Sequence, residues 1–154
     1  HNTFSFVLPS WCGIYGGDKI NVESSEKAIM LCKASLMNDP DSFIEILKCS
    51  NQHKVKNLGK KIKNFNQELW NEKVCFLANK IIKKKFSNVK GLKDVLFLTK
   101  NHLIAKISPT DKDWGIGMGK DNPNSNYPTL WKGSNILGWA LMEVREELLA
   151  TNIN

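Results

Sequence analysis

Apolar residues recur at helical spacing through most of the chain and alternate in two short stretches, the first of them near its start. Phe4, Phe6 and Leu8 recur at every second position, which predicts short extended structure that ends at Pro9. Several of the later apolar runs follow a Ser, Asp or Asn that suits a helix N-cap. The pattern predicts six helices: from Ser24 or Ser25 to Asn38, from Pro40 onward, from Asn51 to Leu58, from Asn66 to Lys85, from Gly91 to Leu98 and from Asn135 to Leu149.

One further extended segment is predicted in the second half. Leu103, Ala105 and Ile107 alternate, which favours a strand over residues 102–107. A polar segment rich in Gly, Asn and Pro then runs to Gly133 and predicts a surface loop. In the helix that follows Asn66, apolar residues recur at steps of three and four, so we expect it to be the central core helix. A chain of 154 residues is expected to form a single domain, 1–154, with a substantial core.

Composition narrows the class of protein. No apolar run approaches the roughly 18 residues that span a bilayer, and no secretory leader is recognisable, so we expect no membrane association. The four cysteines include no CxxC pair, which favours a reducing, intracellular compartment and argues against a zinc site. The net charge of +7 suits phosphate-bearing ligands or nucleic acid, although a Lys-rich surface also serves solubility alone.

The segment from Ser108 to Gly117 concentrates candidate chemistry in one loop. It places Asp111 three residues before Trp114, whose ring offers a stacking face, and Gly115 allows close backbone approach. This composition suits a ligand-binding loop. It also suits an ordinary turn in which Trp114 fills the core.

The first helices supply a second group of candidates. Glu26 lies in a predicted first helical turn, and Lys33 follows seven residues later, about 10 Å along the same face. Both residues can face one cleft, or they are a capping carboxylate and a solvated lysine. Trp70, at the start of the long helix, fits either a core position or a half-buried ligand wall. Lys60 belongs to a basic cluster that either holds phosphates or faces solvent.

These residues, in this order, resemble the YbiA/NADAR family. The resemblance covers residues 4 to 150, and its most specific parts are the Asp-x-x-Trp-Gly-x-Gly loop and the last helix. The matching motifs are Ser25-Glu26, Lys33-Ala34, Leu58-Gly59-Lys60, Trp70, Lys85-Phe86, Ser108-Pro109 with Asp111, Trp114-Gly115-Ile116-Gly117 and a pattern that runs from Gly133 through Asn135 to Arg145.

The resemblance implies a compact, mainly helical α+β fold with a few short strands and an N-glycoside hydrolase activity on ribosylamine-type bonds. Family activities include removal of ADP-ribose from guanine bases and breakdown of ribosylamino intermediates of riboflavin synthesis. It implies catalytic roles for Glu26, Lys33 and Asp111. Substrate-binding roles are expected for Trp70, Trp114, Gly115, Lys60 and Asn135, and neither a metal nor another cofactor is required.

Departures from the family pattern leave the substrate open. The helix that carries Glu26 has Met30 and Cys32 where relatives place hydrogen-bonding groups, and Lys60 replaces the usual Arg. We expect an ADP-ribosyl glycohydrolase that acts on modified guanine in DNA or RNA. The alternatives are a hydrolase of ribosylamino intermediates, an inactive module that binds ADP-ribose or an NAD derivative, and a plain nucleic-acid binder. The expected location is cytoplasmic, or nuclear in a eukaryote, and the oligomeric state is open.

Two chemical routes are compatible with the residues. In one, the Lys33 amine displaces the base from ribose C1 while Glu26 moves protons, and water then releases the sugar. In the other, Glu26 activates water directly and Asp111 stabilises the positive charge that develops at C1. In both routes Trp70 and Trp114 are expected to stack on the base, and Lys60 and Asn135 to hold phosphate and ribose hydroxyls.

Overall fold

Six helices and one two-stranded sheet make up the regular structure of residues 3–153, the part of the chain whose backbone the computed structural model describes; side chains are described for residues 3–151. The chain divides into two compact units, His1–Lys90 and Gly91–Asn154. The mainly helical α+β class predicted above is confirmed. The assignment of residues 1–154 to a single domain stays a prediction.

The sheet of the first unit is an antiparallel hairpin of β1 (Phe4–Val7) and β2 (Lys19–Val22). Phe4 pairs with Val22 and Phe6 with Ile20, so all four apolar side chains point to one face and are buried. The predicted extended segment at the start is therefore confirmed.

A single 3-10 turn (Gly13–Tyr15) lies in the connection between β1 and β2. Gly13 has a φ of +69°, and a Cβ at this position would lie 1.7 Å from the carbonyl oxygen of Ser35. The Ser35 hydroxyl in turn donates to the Cys12 carbonyl oxygen at 2.5 Å and accepts from the Tyr15 N–H at 2.9 Å. The connection is thus held against the backbone of the helix that carries Ser35.

Four helices complete the first unit: α1 (Ser25–Leu36), α2 (Pro40–Lys48), α3 (Gln52–Lys60) and α4 (Gln67–Asn88). The predicted caps at Ser24 and Asn66 are confirmed, since each side chain accepts a hydrogen bond from a backbone N–H three residues later. Asn51, rather than Ser50, caps α3. The predicted ends of three of these helices were wrong. Helix α1 ends at Leu36, before the predicted Asn38. Helix α3 continues through Gly59 to Lys60, and α4 continues past Lys85.

Helix α1 occupies the centre of the first unit, a place that the sequence pattern assigned to α4. It contacts α2, α3, α4 and β2. Its small residues Ala28, Ala34 and Ser35 are buried and allow neighbouring elements to approach closely. Trp70, Val74, Leu77 and Ile81 form the buried stripe of α4, as their spacing predicted.

The second unit contains α5 (Leu92–Leu98) and α6 (Ile136–Ile153), which contact each other. Buried Arg145 of α6 donates to the Thr99 hydroxyl at 2.8 Å and to the His102 carbonyl at 2.9 Å. The strand predicted for residues 102–107 is absent. This segment lacks a neighbouring strand, and backbone groups of Ile104 and Lys106 bond to the side chain of Asn135 instead. No helix within residues 3–153 combines the length and hydropathy needed to span a membrane.

Candidate functional site

Lys33 lies where α1, α3 and α4 of the first unit meet. Its Nζ atom donates to the carbonyl oxygen of Gly59 in α3 at 3.1 Å. The same ammonium lies 4.6 Å from the ring centroid of Phe65 and 5.9 Å from that of Trp70. A carbonyl oxygen and aromatic faces both favour a positive charge, so these contacts hold a cation in a fixed position.

The two rings beside Lys33 differ in exposure. Trp70 is only 8% exposed, whereas Phe65 is 39% exposed. Of the two positions that the sequence left open for Trp70, the structure shows the core position, because Trp70 faces the buried side of α4. Its predicted role in substrate binding stays a prediction. Phe65 immediately precedes the N-cap Asn66, and Trp70 is the fourth helical residue. These are the two positions of a hydrophobic staple, which brings such side chains together at a helix start.

Gly59 sets the distance between α3 and α1. A Cβ at Gly59 would lie 2.1 Å from the Met30 sulfur, so the helices approach at a separation that suits glycine. This approach places the Gly59 carbonyl within reach of Lys33. Lys60 is the last residue of α3 and is exposed, as are the neighbouring cluster members Lys54, Lys56, Lys61 and Lys63. The basic cluster of the sequence is thus a real surface feature.

Glu26 is exposed in the first turn of α1. It lies on the same helix as Lys33, two turns away, at an axial distance of about 10 Å. The helix N-terminus favours its negative charge. The structure brings Lys33 and Trp70 together, whereas Glu26 lies two turns away on the same helix and is exposed to solvent.

In the second unit, Asp111 organises the loop that carries Trp114. One carboxylate oxygen accepts from the N–H groups of Trp114 at 2.9 Å and Asp113 at 3.1 Å. The other oxygen forms an ion pair with Lys106, at 2.8 Å. The Asp111 side chain is only 10% exposed. Both of its oxygens thus bond to groups of its own loop or of the segment that precedes it.

The environment of Asp111 keeps it ionised. Burial acts to raise the pKa of its carboxyl group, but the hydrogen bond from Lys106 opposes this effect. The backbone donors and the charge of Lys106 add to that bond, and together they hold the pKa below its ordinary value. At neutral pH Asp111 is therefore an anion. This state suits electrostatic stabilisation of a nearby positive charge and does not suit proton donation.

Asn135 links three stretches of the second unit. Its side-chain oxygen accepts from the Lys106 N–H, and its side-chain nitrogen donates to the Ile104 carbonyl, both at 3.0 Å. Its own N–H donates to the Gly115 carbonyl at 2.9 Å. The side chain is fully buried. The predicted role in binding substrate hydroxyls stays a prediction, and the observed contacts give Asn135 a positioning role.

Backbone pairing closes the base of the Asp111 loop. Lys132 N–H donates to the Ile116 carbonyl at 3.0 Å, and Ser134 N–H donates to the Lys112 carbonyl at 2.8 Å. Gly115 is buried, and a Cβ there would lie 2.9 Å from the Lys106 carbonyl oxygen. Glycine at this position thus permits close packing inside the loop. Residues 118–131, which include two short 3-10 turns, project from this base and are largely exposed.

Three groups that make these contacts were not predicted from the sequence. Phe65 is recognisable in retrospect from its staple position before Asn66. Lys106 has no signal that separates it from the other 21 Lys and Arg residues. The Gly59 carbonyl is a backbone group, which no residue type marks. Within the described residues, no group of three or more His, Cys, Asp or Glu side chains is placed to hold a metal ion.

The chain is similar to proteins of several sources. It is 37% identical to N-glycosidase R617 of Acanthamoeba polyphaga mimivirus over 124 residues, 80% of this chain and 73% of that protein. It is 38% identical to Protein irg-1 of Caenorhabditis elegans over 126 residues, 80% of this chain and 59% of that protein. N-glycosidase Npun_R5314 of Nostoc punctiforme is 35% identical over 72 residues, 47% of this chain and 39% of that protein.

A solved structure shares the fold. The NMR structure of the Escherichia coli protein YbiA matches with a TM-score of 0.70, at 22% identity, over 88% of this chain and 72% of that one. The sequence also matches the protein-family model of the NADAR domain over residues 6–149. The family expected from the motifs is therefore confirmed, and the chain belongs to the NADAR family.

Proposed function

We propose that this N-glycosidase of the NADAR family removes ADP-ribose from guanine bases of nucleic acid. The class follows from family membership and from similarity to two proteins named N-glycosidases, so the chain is a hydrolase of N-glycosyl compounds. The choice of substrate is ours. It is supported by the contacts of Lys33 and by the basic surface around it.

The observation that carries the proposal is the fixed cation at Lys33. A carbonyl oxygen of α3 and two aromatic rings hold its ammonium on the helix whose first turn presents Glu26. Cleavage of an N-glycosidic bond in an ADP-ribosylated base needs a proton-transfer group, a positive charge for phosphates and flat apolar surface for rings. In the first unit, Glu26, Lys33 and the exposed ring of Phe65 are the groups that we propose for these roles.

The contacts of Lys33 favour the route in which Glu26 activates water. A lysine nucleophile must be neutral, whereas a carbonyl acceptor and aromatic faces favour the ammonium form. In the favoured route, Glu26 accepts a proton from water and the water oxygen bonds to ribose C1. The bond from C1 to the guanine amine breaks, its electron pair goes to the nitrogen, and that nitrogen takes the proton from Glu26 or from solvent. In this route the Lys33 ammonium binds the ADP-ribose phosphates or stabilises another negatively charged group of the reactants.

For Asp111 of the second unit we propose a role in stabilising positive charge. Its low pKa keeps it ionised, and an anion lowers the energy of the oxocarbenium-like state that forms as the glycosidic bond breaks. Trp114 and Gly115 are proposed to bind the substrate as part of the Asp111 loop. Lys60, exposed at the end of α3, is proposed to bind phosphate.

The charge of the chain supports a nucleic-acid substrate over a small one. Five exposed lysines lie in and just after α3, and the net charge is +7. A riboflavin-pathway intermediate needs little of this charge, whereas a polyanion benefits from all of it. The hydrolase of ribosylamino intermediates nevertheless remains the alternative substrate class, because its bond chemistry is the same.

Release of ADP-ribose from a guanine-ADP-ribosylated DNA oligonucleotide tests the proposal. Glu26→Gln is expected to lower the rate by about 10²–10⁴-fold, the usual contribution of a general base. Asp41→Asn is the matched control, since Asp41 is also an exposed carboxylate in a first helical turn. Asp111→Asn is compared with Asp113→Asn, an exposed carboxylate of the same loop. Equal rates for Glu26→Gln and Asp41→Asn would contradict the proposal.

Borohydride trapping separates the two chemical routes. Reduction during turnover is expected to leave the protein without a sugar adduct. An adduct that disappears in Lys33→Ala would instead establish the lysine route. If the native chain binds ADP-ribose without releasing it from DNA, the binding-module alternative is favoured. Release from a ribosylamino intermediate alone would favour the small substrate.

A further inference from the structure

An exposed aromatic pair lies on the first unit beside two lysines. The rings of Trp11 and Phe76 have centroids 5.7 Å apart and are tilted by 59°. Lys73 Nζ lies 4.9 Å from the Trp11 ring centroid, and Lys80 Nζ lies 5.2 Å from that of Phe76. Trp11 is 40% exposed and Phe76 is 47% exposed. We call these four residues the aromatic–lysine stripe.

The stripe lies outside the core. Lys73, Phe76 and Lys80 follow one another at steps of three and four, so they share one face of α4. The buried residues of α4, such as Val74, Leu77 and Ile81, lie at other positions of the helix. Trp11 joins the stripe from the connection between β1 and β2. Large exposed rings that do not complete a core point to an interaction surface.

We propose that the aromatic–lysine stripe binds single-stranded nucleic acid, with bases stacked on Trp11 and Phe76 and phosphates bound by Lys73 and Lys80. This inference extends the proposed function, because it names the surface that would hold the strand bearing the modified guanine. Stacking rings beside positive side chains form the usual recognition surface for single strands without sequence preference.

The lysines do not block the rings. A cation–π contact at an exposed site is weaker than base–aromatic stacking, so an incoming base displaces an ammonium at a net gain. The displaced Lys73 or Lys80 stays within reach of the phosphate of the same nucleotide. The resting contacts therefore hold the cations next to the rings on which the bases would stack.

The chemistry of the stripe favours a single strand over a duplex. Rings can stack only on bases that are not already stacked in a helix. The stripe offers two rings and two cations, which complement a polyanion with exposed bases. A duplex would contact the lysines alone and would show no dependence on the rings.

Fluorescence anisotropy tests the proposal with a labelled, unmodified oligothymidine of about 15 nucleotides, a length within the range that single-strand binding folds occupy. Phe76→Ala and Trp11→Ala are expected to weaken binding about tenfold each without changing its salt dependence. Phe76→Trp should retain it. Lys73→Ala with Lys80→Ala should weaken binding and lower the slope of log affinity against log salt by about 1.4, at about 0.7 for each phosphate contact.

Controls come from exposed residues of the second unit. Trp139→Ala removes an exposed ring and Lys120→Ala an exposed charge, and neither should change the affinity. Thermal unfolding of each variant checks that it is folded. If Trp11→Ala unfolds, Phe76→Ala decides alone, because Phe76 is exposed within a helix and alanine suits that position.

Three results would overturn the inference: no binding by the native chain, equal losses in Phe76→Ala and Trp139→Ala, or binding of a duplex with the affinity of the single strand. The result of this binding test does not depend on the proposed activity, because an unmodified strand carries no ADP-ribose bond to hydrolyse. ADP-ribose release without strand binding would refute only the stripe. Strand binding through the stripe without release would refute only the activity.

Discussion

Replacement of Asn135 is expected to destabilise the chain more than a typical surface substitution. Asn135 is fully buried, its amide bonds to the Ile104 carbonyl and the Lys106 N–H, and its φ is +51°. Alanine removes both hydrogen bonds and leaves two backbone groups without those partners. It also places a Cβ in the left-handed region without the local polar contacts that make this conformation acceptable for asparagine.

The expected loss in unfolding free energy is about 3 kcal/mol for Asn135→Ala. Each lost hydrogen bond costs about 1 kcal/mol, the low end for an unsatisfied group, because Ile104 and Lys106 are only half-buried. The left-handed backbone adds about 1–2 kcal/mol for alanine. Asn135→Gly avoids this strain, but the glycine raises the conformational entropy of the unfolded chain, which lowers the stability by about 0.4–1 kcal/mol. Glycine should therefore be the more stable variant by roughly 0.5–1 kcal/mol.

Urea unfolding of the whole chain, followed by tryptophan fluorescence, measures these differences. The native chain, Asn135→Ala and Asn135→Gly are compared at one pH, with Asn124→Ala as a control at an exposed asparagine. A loss below about 1 kcal/mol in Asn135→Ala would refute the role of its amide as a structural link. An alanine variant as stable as the glycine variant would refute the argument from backbone strain.

Three further predictions concern other contacts. The difference in unfolding free energy between the native chain and Asp111→Asn should shrink as the pH falls below about 4. The Asp111 carboxyl has a lowered pKa in the folded chain, so it stabilises the fold above its unfolded pKa and loses that contribution on acidification. Urea unfolding between about pH 2 and pH 7 measures this difference. Gly13→Ala should unfold the chain or cost more than about 4 kcal/mol, because its Cβ meets the Ser35 carbonyl at a positive φ, and circular dichroism should show the loss. Lys33→Met should keep the helical fold, as judged by circular dichroism. It should lower the affinity for ADP-ribose about tenfold, the effect of one lost charge-assisted contact. Unchanged affinity in calorimetry would contradict a phosphate-binding role.

Local signals predicted most of the helical framework. Ser24 and Asn66 begin helices because their side chains accept hydrogen bonds from N–H groups of the first turn, a rule that depends only on near neighbours. The spacing from Trp70 to Ile81 likewise fixed the buried face of α4. These features needed no knowledge of distant residues.

The failures arose where distant residues decide the structure. Residues 102–107 have the alternation of a strand, but their backbone bonds to Asn135, about 30 positions away in sequence, so no ladder forms. Gly59 had the position of a helix terminator, yet it lies inside α3, where a Cβ would meet the Met30 side chain of another helix. The sequence identified Asp111 as important but did not reveal Lys106, which holds it ionised.

The backbone pairing at the base of residues 118–131 makes the shape of the Asp111 loop independent of most of this segment. Its two ends are joined by bonds between residues 112–116 and 132–135, and Met118 at its start is buried and pairs with Ser108. The Asp111 loop therefore keeps its shape through backbone pairing that does not involve residues 119–131. The entropy of closing a flexible loop rises slowly, by about 0.6 kcal/mol for each doubling of length. Insertions and deletions here should therefore be tolerated, and evolution is free to vary the length and composition of this projection while Asp111 and Trp114 stay in place.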